Sequence, residues 1–306
     1  MKQTFFFPSA DGKTQIRVIE WIPDGEVRAV LQICHGMAEH ILRYDRFATA
    51  MNAAGIYVVG NDHLGHGESV SEDALHGFFK HPDGNVCLLS DIHTLRMRTQ
   101  EKYPDVPFFL LGHSMGSFLT RQYLAMHGEG RAGAIVMGTG LQASATLSVA
   151  RGLCRVIAVF CGRKHHSLLV NLLAFSSNNH RIKHPRTVYD WLTKDESMVD
   201  RYIEDPWCGF LFTVNGFDQM FYSIGLAQKK ETFEAAPQSC PILLVSGAED
   251  PIGHYGADVQ KIYDTYKAAG KSVQMKLYPE DRHEILNETD RLTVDDDLKQ
   301  FIFAHC

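Results

Sequence analysis

The residues best equipped for chemistry in this sequence are Gly112-His113-Ser114-Met115-Gly116. A β-rich run at 108–111 leads in and an amphipathic stretch leads out, which predicts a tight strand-to-helix turn with the serine at its tip. Such a turn strains the serine backbone, and glycine two residues to either side leaves room for the neighbouring strand and helix. A serine hydroxyl attacks a carbonyl only when a base takes its proton and an acid orients that base. Both types occur further along. Asp250 follows the apolar run 242–245 in Ser246-Gly247-Ala248-Glu249-Asp250-Pro251, where a strand-to-helix loop is expected. His283 stands just past the last β-rich run, in Asp281-Arg282-His283-Glu284, and is the predicted base. Glu249 competes with Asp250, but an adjacent position points elsewhere; His254, four residues after the acid, is the weaker base. The backbone N–H groups of Met37, in His35-Gly36-Met37-Ala38, and of Met115 are assigned to an oxyanion hole.

These groups need a scaffold that brings distant loops together. Apolar runs at 29–34, 56–59, 108–111, 134–137, 242–245 and 273–277 alternate with helical stretches at 44–54, 86–102, 117–127, 255–269 and 294–303. Runs that are apolar on both faces read as parallel strands covered by helices on both sides. The expectation is a doubly wound, mostly parallel α/β sheet, preceded by a hairpin of 3–7 and 15–21 around Asp11-Gly12. From about 141 to 215 no buried strand is legible, so a helical cap is expected there, inserted into a core made of 1–140 and 216–306. Within it, Ala150, Leu153, Cys154, Ile157, Phe160 and Cys161 recur at helical spacing. Val149, Val156 and Val159 widen that face, and Arg151 and Arg155 leave a narrow polar stripe. A mobile apolar cap of this kind would offer Leu153 and Ile157 to an acyl chain.

Composition narrows the function classes. The 306 residues are 45% hydrophobic and 22% charged, with a formal net charge of −6 and no long basic block, so no nucleic-acid surface is expected. Seven cysteines without a Cys-x-x-Cys pattern suit reduced thiols in the cytoplasm. The apolar run near the N-terminus is too short for a signal-peptide core, and no stretch of about 20 uninterrupted apolar residues suggests a membrane span. His63 with His66, His35 with His40, and His165-His166 lack the cysteine or carboxylate partners of a zinc site, so no metal is assigned.

Taken together, the motifs resemble the monoacylglycerol lipase and lysophospholipase branch of the α/β-hydrolases. The resemblance rests on His35-Gly36-Met37-Ala38-Glu39-His40 with Arg43-Tyr44 and on Asn61-Asp62-His63-Leu64-Gly65-His66-Gly67-Glu68-Ser69. It rests equally on Gly112-His113-Ser114-Met115-Gly116-Ser117 and on Arg282-His283-Glu284-Ile285-Leu286-Asn287-Glu288. It implies an α/β-hydrolase fold with a helical cap, hydrolysis of single-chain lipid monoesters through an acyl-enzyme, and no metal or organic cofactor. The cap looks like that of bacterial lysophospholipases through Tyr189-Asp190-Trp191-Leu192 and Asp205-Pro206-Trp207-Cys208-Gly209-Phe210. Cys208 is therefore expected at the substrate with Leu153 and Ile157, and the cap is expected to touch membrane surfaces transiently. Two other readings stay open: an aminopeptidase, which would need an acidic cluster for the substrate ammonium, and a ligand receptor with slow turnover. A dehalogenase or epoxide hydrolase would want Asp at position 114.

Overall fold

Asp11 closes the first turn of the chain, its carboxylate accepting hydrogen bonds from the N–H groups of Lys13 and Thr14 and from the Thr14 hydroxyl. That turn sets β1 (Lys2–Pro8) antiparallel to β2 (Gln15–Trp21). The computed structural model describes every residue except Asp73. Beyond the hairpin come β3 (Ala29–Cys34), α1 (Asp45–Asn52), β4 (Ile56–Asn61), α2 (Gly84–Lys102), β5 (Phe108–His113), α3 (Met115–His127) and β6 (Gly133–Met137). The last strands and their helices are β7 (Ile242–Gly247), β8 (Val273–Tyr278) and the helices between and after them. One eight-stranded sheet results, in the order β1-β2-β4-β3-β5-β6-β7-β8. The first two strands run antiparallel and every pairing from β4 to β8 is parallel. This is the doubly wound, mostly parallel α/β sheet expected from the alternation of apolar runs.

The reason lies in burial. Strands β3 to β7 are buried at every position, because helices cover both faces and neither side can be polar. On one face Phe47 and Met51 of α1 pack with Ile33, Leu111 and Leu298. On the other, Leu88 and Ile92 pack with Leu119 and Tyr123. β8 lies at the sheet edge, and its burial alternates accordingly.

Between β6 and β7 the chain is helical: α4 (Ser144–Cys161), α5 (Leu168–Phe175), α6 (Glu196–Glu204), α7 (Val214–Ala227) and α8 (Lys230–Ala235). α9 (Ala257–Ala268) and α10 (Arg291–Phe303) complete the fold. The sequence pattern did not mark α7, whose Phe217, Met220, Phe221 and Ile224 are all buried. A helix apolar nearly all round carries little periodicity. α4 lies against α7, and Arg151 of the first donates to Asp218 of the second at 2.9 Å.

The stretch from 189 to 209 is not loose. Glu284 N–H donates to Leu192 O at 2.7 Å, Gly209 N–H to Ala38 O at 2.9 Å, and the Arg282 guanidinium to Asp190 O at 2.6 Å. These bonds tie it to the two loops that carry His283 and Met37. Hydrogen bonds thus join the second half of the expected cap segment to the core.

α3 packs closely on β3. A Cβ on Gly116 would sit 2.1 Å from Cys34 O and 2.6 Å from His35 O, both rigid backbone. Gly116→Ala should therefore cost about 1–3 kcal/mol, read as a lower denaturant midpoint. An unchanged midpoint would mean that the helix shifts away at no cost.

Candidate active site

Ser114 leaves β5 with φ 52° and ψ −118°, a left-handed conformation that costs a non-glycine residue energy. Its neighbours permit the turn. A Cβ on Gly112 would lie 2.2 Å from Thr120 Oγ1 and 2.3 Å from Gly116 O. The turn is held from both ends: Ser114 N–H donates to Met137 O at 3.0 Å, while Ser117 N–H and its hydroxyl both donate to Ser114 O, at 2.8 and 2.6 Å. Met115 is the first residue of α3, where a backbone N–H has no acceptor within the helix.

Asp250 follows β7 and is fully buried. One oxygen accepts from His283 Nδ1 at 3.0 Å and from Ser246 Oγ at 3.2 Å; the other accepts from Ile252 N–H at 2.9 Å. With Nδ1–H committed to the carboxylate, the proton-free position of neutral His283 is Nε2. That atom is buried and has no hydrogen-bond partner, and His283 and Ser114 line the same cavity. Glu249 is exposed and belongs to a separate cavity. His254 is mostly solvent-exposed and, from the turn before α9, pairs with Asp258 in the first turn of that helix.

The Met37 loop is set by a buried ionic cluster that sequence reasoning did not find. Glu39 Oε1 accepts from Gly36 N–H at 2.5 Å, from Tyr44 OH at 3.0 Å and from His113 Nδ1 at 3.2 Å. Arg43 bridges Glu39, at 2.6 Å, and Glu284, which it grips with both terminal nitrogens at 2.7 Å. Burial alone would raise both carboxyls, but the Arg43 charge, together with hydrogen bonds from His113 to Glu39 and from Arg43 to Glu284, outweighs it and holds them below the usual range. His113 Nε2 faces His283 O at 3.3 Å, so both its ring nitrogens meet oxygens. Burial would depress the imidazole, yet the hydrogen bond and charge of Glu39 raise it above its ordinary value. The motif residues Glu39, Arg43 and Glu284 stood in the quoted sequence, but nothing in their spacing announced that they meet.

A second buried group backs the same loop. His35 Nε2 accepts from His63 N–H at 2.9 Å, which leaves Nδ1 to donate to Gly36 O at 2.8 Å. The rings of His35 and His63 lie 4.2 Å apart, and His66 packs among Phe79, Phe210 and Phe212. Burial lowers all three histidines, His63 to about 4 and His66 to about 3. They are neutral structural groups. One other cluster brings His40, Asp205 and Cys208 within 4.8 Å of one another. Burial pushes the Cys208 thiol far up, and His40 Nε2 is already 2.8 Å from Asp205, so the set is a poor cation cage.

The cavity over Ser114 measures about 490 Å³. Leu168, Leu172 and Phe175 of α5, with Trp191, Phe210 and Leu211, give it largely apolar walls. Three expected pocket residues are absent from that lining. Leu153 and Ile157 are half-buried against the core, because the inner face of α4 is spent on packing. Cys208 lies behind the wall, close to Arg43 and Asp205. The apolar wall comes from α5, whose Leu168-Leu169-Val170 and Leu172-Leu173 runs were the available sequence signal.

Replacing Glu39 by Gln should lower the His113 pKa relative to wild type, since the charge that offsets burial is removed. The kcat should fall by about 10²-fold through misplacement of the Gly36-Met37 loop, with KM much less affected. NMR titration of the His113 ring and steady-state kinetics test both parts. An unmoved His113 titration would disprove the assigned coupling.

Residues 25–290 match the Hydrolase_4 family, described as serine aminopeptidase, S33. The monoacylglycerol lipase of Mycolicibacterium smegmatis is 26% identical over 288 residues, covering 93% of this chain and 91% of that protein. Mouse monoglyceride lipase is 38% identical over 100 residues, 33% of this chain and 31% of its own. A thermostable carboxyl esterase from Bacillus coagulans, solved in complex with glycerol, superposes with a TM-score of 0.92 at 31% identity. That superposition covers 99% of this chain and 98% of the esterase. The chain belongs to the Hydrolase_4 (serine aminopeptidase, S33) family of α/β-hydrolases and is a monoacylglycerol-lipase-like member of it.

Proposed function

We propose that this serine ester hydrolase cleaves single-chain lipid esters through an acyl-enzyme on Ser114. The observation that carries the reading is the buried Asp250–His283 pair opening, with Ser114, into a largely apolar cavity of about 490 Å³. Ser114 Oγ attacks the ester carbonyl while His283 Nε2 takes its proton. The N–H groups of Met37 and Met115 hold the developing oxyanion. His283 then protonates the departing alcohol, and a water activated by the same nitrogen releases the fatty acid. Asp250 fixes the histidine tautomer and stabilises the imidazolium. The free Nε2 atom and the strained serine turn both favour turnover over a purely receptor role.

Aminopeptidase activity would need a carboxylate free to meet the substrate ammonium. Among the described residues lining the cavity, the carboxylates are Glu39 and Glu284, and both are already engaged by Arg43. That favours esters over N-terminal peptides.

Residues 141–215 act as the cap in this reading, and their outer face suits a lipid surface. Arg151 and Arg155 of α4 both turn toward Asp218, at 2.9 and 3.7 Å. Val149, Val159 and Phe160 face solvent at 73, 80 and 83% exposure. A water-facing helix ordinarily does the reverse. α4 is also the one helix among the described residues long and apolar enough to cross a membrane. Lying flat on a lipid surface with its apolar side down uses the same composition without unseating it from α7.

Ser114→Ala should reduce kcat by about 10⁴–10⁶-fold and abolish single-site labelling by a fluorophosphonate; persistent labelling would remove the central claim. Asp250→Asn should cost orders of magnitude in kcat, whereas Glu249→Gln should cost little; the reverse result would reassign the acid. The value of kcat/KM should climb with acyl length at up to about fourfold per methylene and then level off. Leu172→Asp should flatten that climb while sparing a two-carbon ester. Equal kcat/KM for monomeric substrates of all chain lengths would contradict an acyl-binding role for α5.

A further inference from the structure

Helix α5 carries a single polar residue. Its sequence, Leu168-Leu169-Val170-Asn171-Leu172-Leu173-Ala174-Phe175, is otherwise apolar, and asparagine is a poor helix former away from the ends. Asn171 has no capping duty, because Ser167 accepts the Val170 N–H at the N-terminus and the C-cap position is Ser176. Leu168, Asn171, Leu172 and Phe175 are spaced three and four apart, which is one face of a helix, and all four line the cavity over Ser114. Val170 is turned away from them, into the core.

The other amides and hydroxyls that residues 141–215 contribute to this wall are engaged or exposed. Asn179 accepts from Trp191 N–H at 2.9 Å and donates to Thr187 O at 2.7 Å. Tyr189 and Tyr202 donate to Gly209 O and Ala38 O, at 3.2 and 3.0 Å. Ser176 faces solvent. Asn171 is half-buried, and among the described residues its side-chain amide meets no hydrogen-bond partner.

An amide offers two N–H donors and a carbonyl acceptor. Water serves them while the cavity is open. A plain methylene chain laid along this face displaces that water and returns no hydrogen bond, so the amide opposes the chain that its neighbours attract. A chain that carries oxygen at the same depth restores the bond. Pockets discriminate more sharply by such a bond than by one methylene more or less.

We propose that Asn171 sets acyl specificity, and that the favoured acyl chain carries a hydroxyl or ketone oxygen along its length. The amide N–H donates to that oxygen, and a hydroxyl also donates back to the amide oxygen. Leu168 and Phe175, about one turn to either side, hold the methylenes before and after it. This assignment rests on the ester-hydrolase reading above, with α5 as the acyl wall, and adds the kind of chain.

The test compares methyl decanoate with its isomers bearing a ketone at each carbon from the fourth to the ninth, in the full-length protein. A methyl ester has no polar head group, so any preference belongs to the acyl chain. A wall without a partner for oxygen would turn over every oxo isomer more slowly than the plain ester. With Asn171 in place, kcat/KM should instead peak at one or two neighbouring ketone positions, no lower than the plain ester and at least about fivefold above the other isomers. In Asn171→Leu the peak should vanish and the plain ester should gain on every oxo isomer. Each variant is read against its own rate on methyl decanoate, so any loss of folded protein cancels. A wild-type profile that falls at every ketone position would overturn the proposal and leave ester hydrolysis standing, and a peak that survives in Asn171→Leu would also overturn it. Cleavage of none of these esters, nor of a monoacylglycerol, would end the ester reading beneath it.

Discussion

Arg43 sits between two buried carboxylates, Glu39 on the loop after β3 and Glu284 beside His283, and the edge of the sheet that carries Ser114 is assembled around it. Removing charges from water is expensive, and a buried pair repays that only with good geometry and full hydrogen bonding. Here Glu39 also receives Gly36 N–H, Tyr44 OH and His113, and Glu284 receives Asn287 Nδ2 at 2.8 Å. The arrangement fixes the distance between the Gly36-Met37 loop and the loop that carries His283. A hydrophobic cluster of the same volume would fill the space without setting that register.

The sheet supplies what the ion cluster cannot. Parallel strands deliver β3, β5 and β7 to one edge with their loops side by side, so residues 37, 114 and 250 meet although they are far apart in sequence. The turn after β5 strains the Ser114 backbone, and the glycines at 112 and 116 leave room for it. The helical segment between β6 and β7 then roofs the edge. Its second half is hydrogen-bonded to the Ala38 and Glu284 loops, so the roof and those loops share one framework.

The sequence carried the sheet well and the pocket poorly, for physical reasons. Strands buried on both faces leave short apolar runs that stand out from their surroundings, and Gly112 and Gly116 report a steric demand made by the local turn. Asp250 and His283 were legible because loops after parallel strands emerge at a common edge. The wall of the cavity was not legible in the same way. An apolar helix presents similar residues to a lipid, to water and to its neighbour, so the spacing of Leu153 and Ile157 could not say that their side packs on the core. Glu39, Arg43 and Glu284 are joined by tertiary contact across 241 positions, which no local pattern encodes.

The three buried histidines behind the Gly36 loop make folding and proton binding compete. Each is neutral when folded, whereas an unfolded histidine takes a proton at about pH 6.5. Unfolding below that pH therefore draws protons from solution. Stability present above pH 6.5 drains away as the pH falls toward about 4 for His63 and about 3 for His66. The slope is about 1.4 kcal/mol per pH unit for each proton taken up. The loop that positions Met37 is thus built on groups that acid turns against the fold, which sets an acid boundary on where this protein can work.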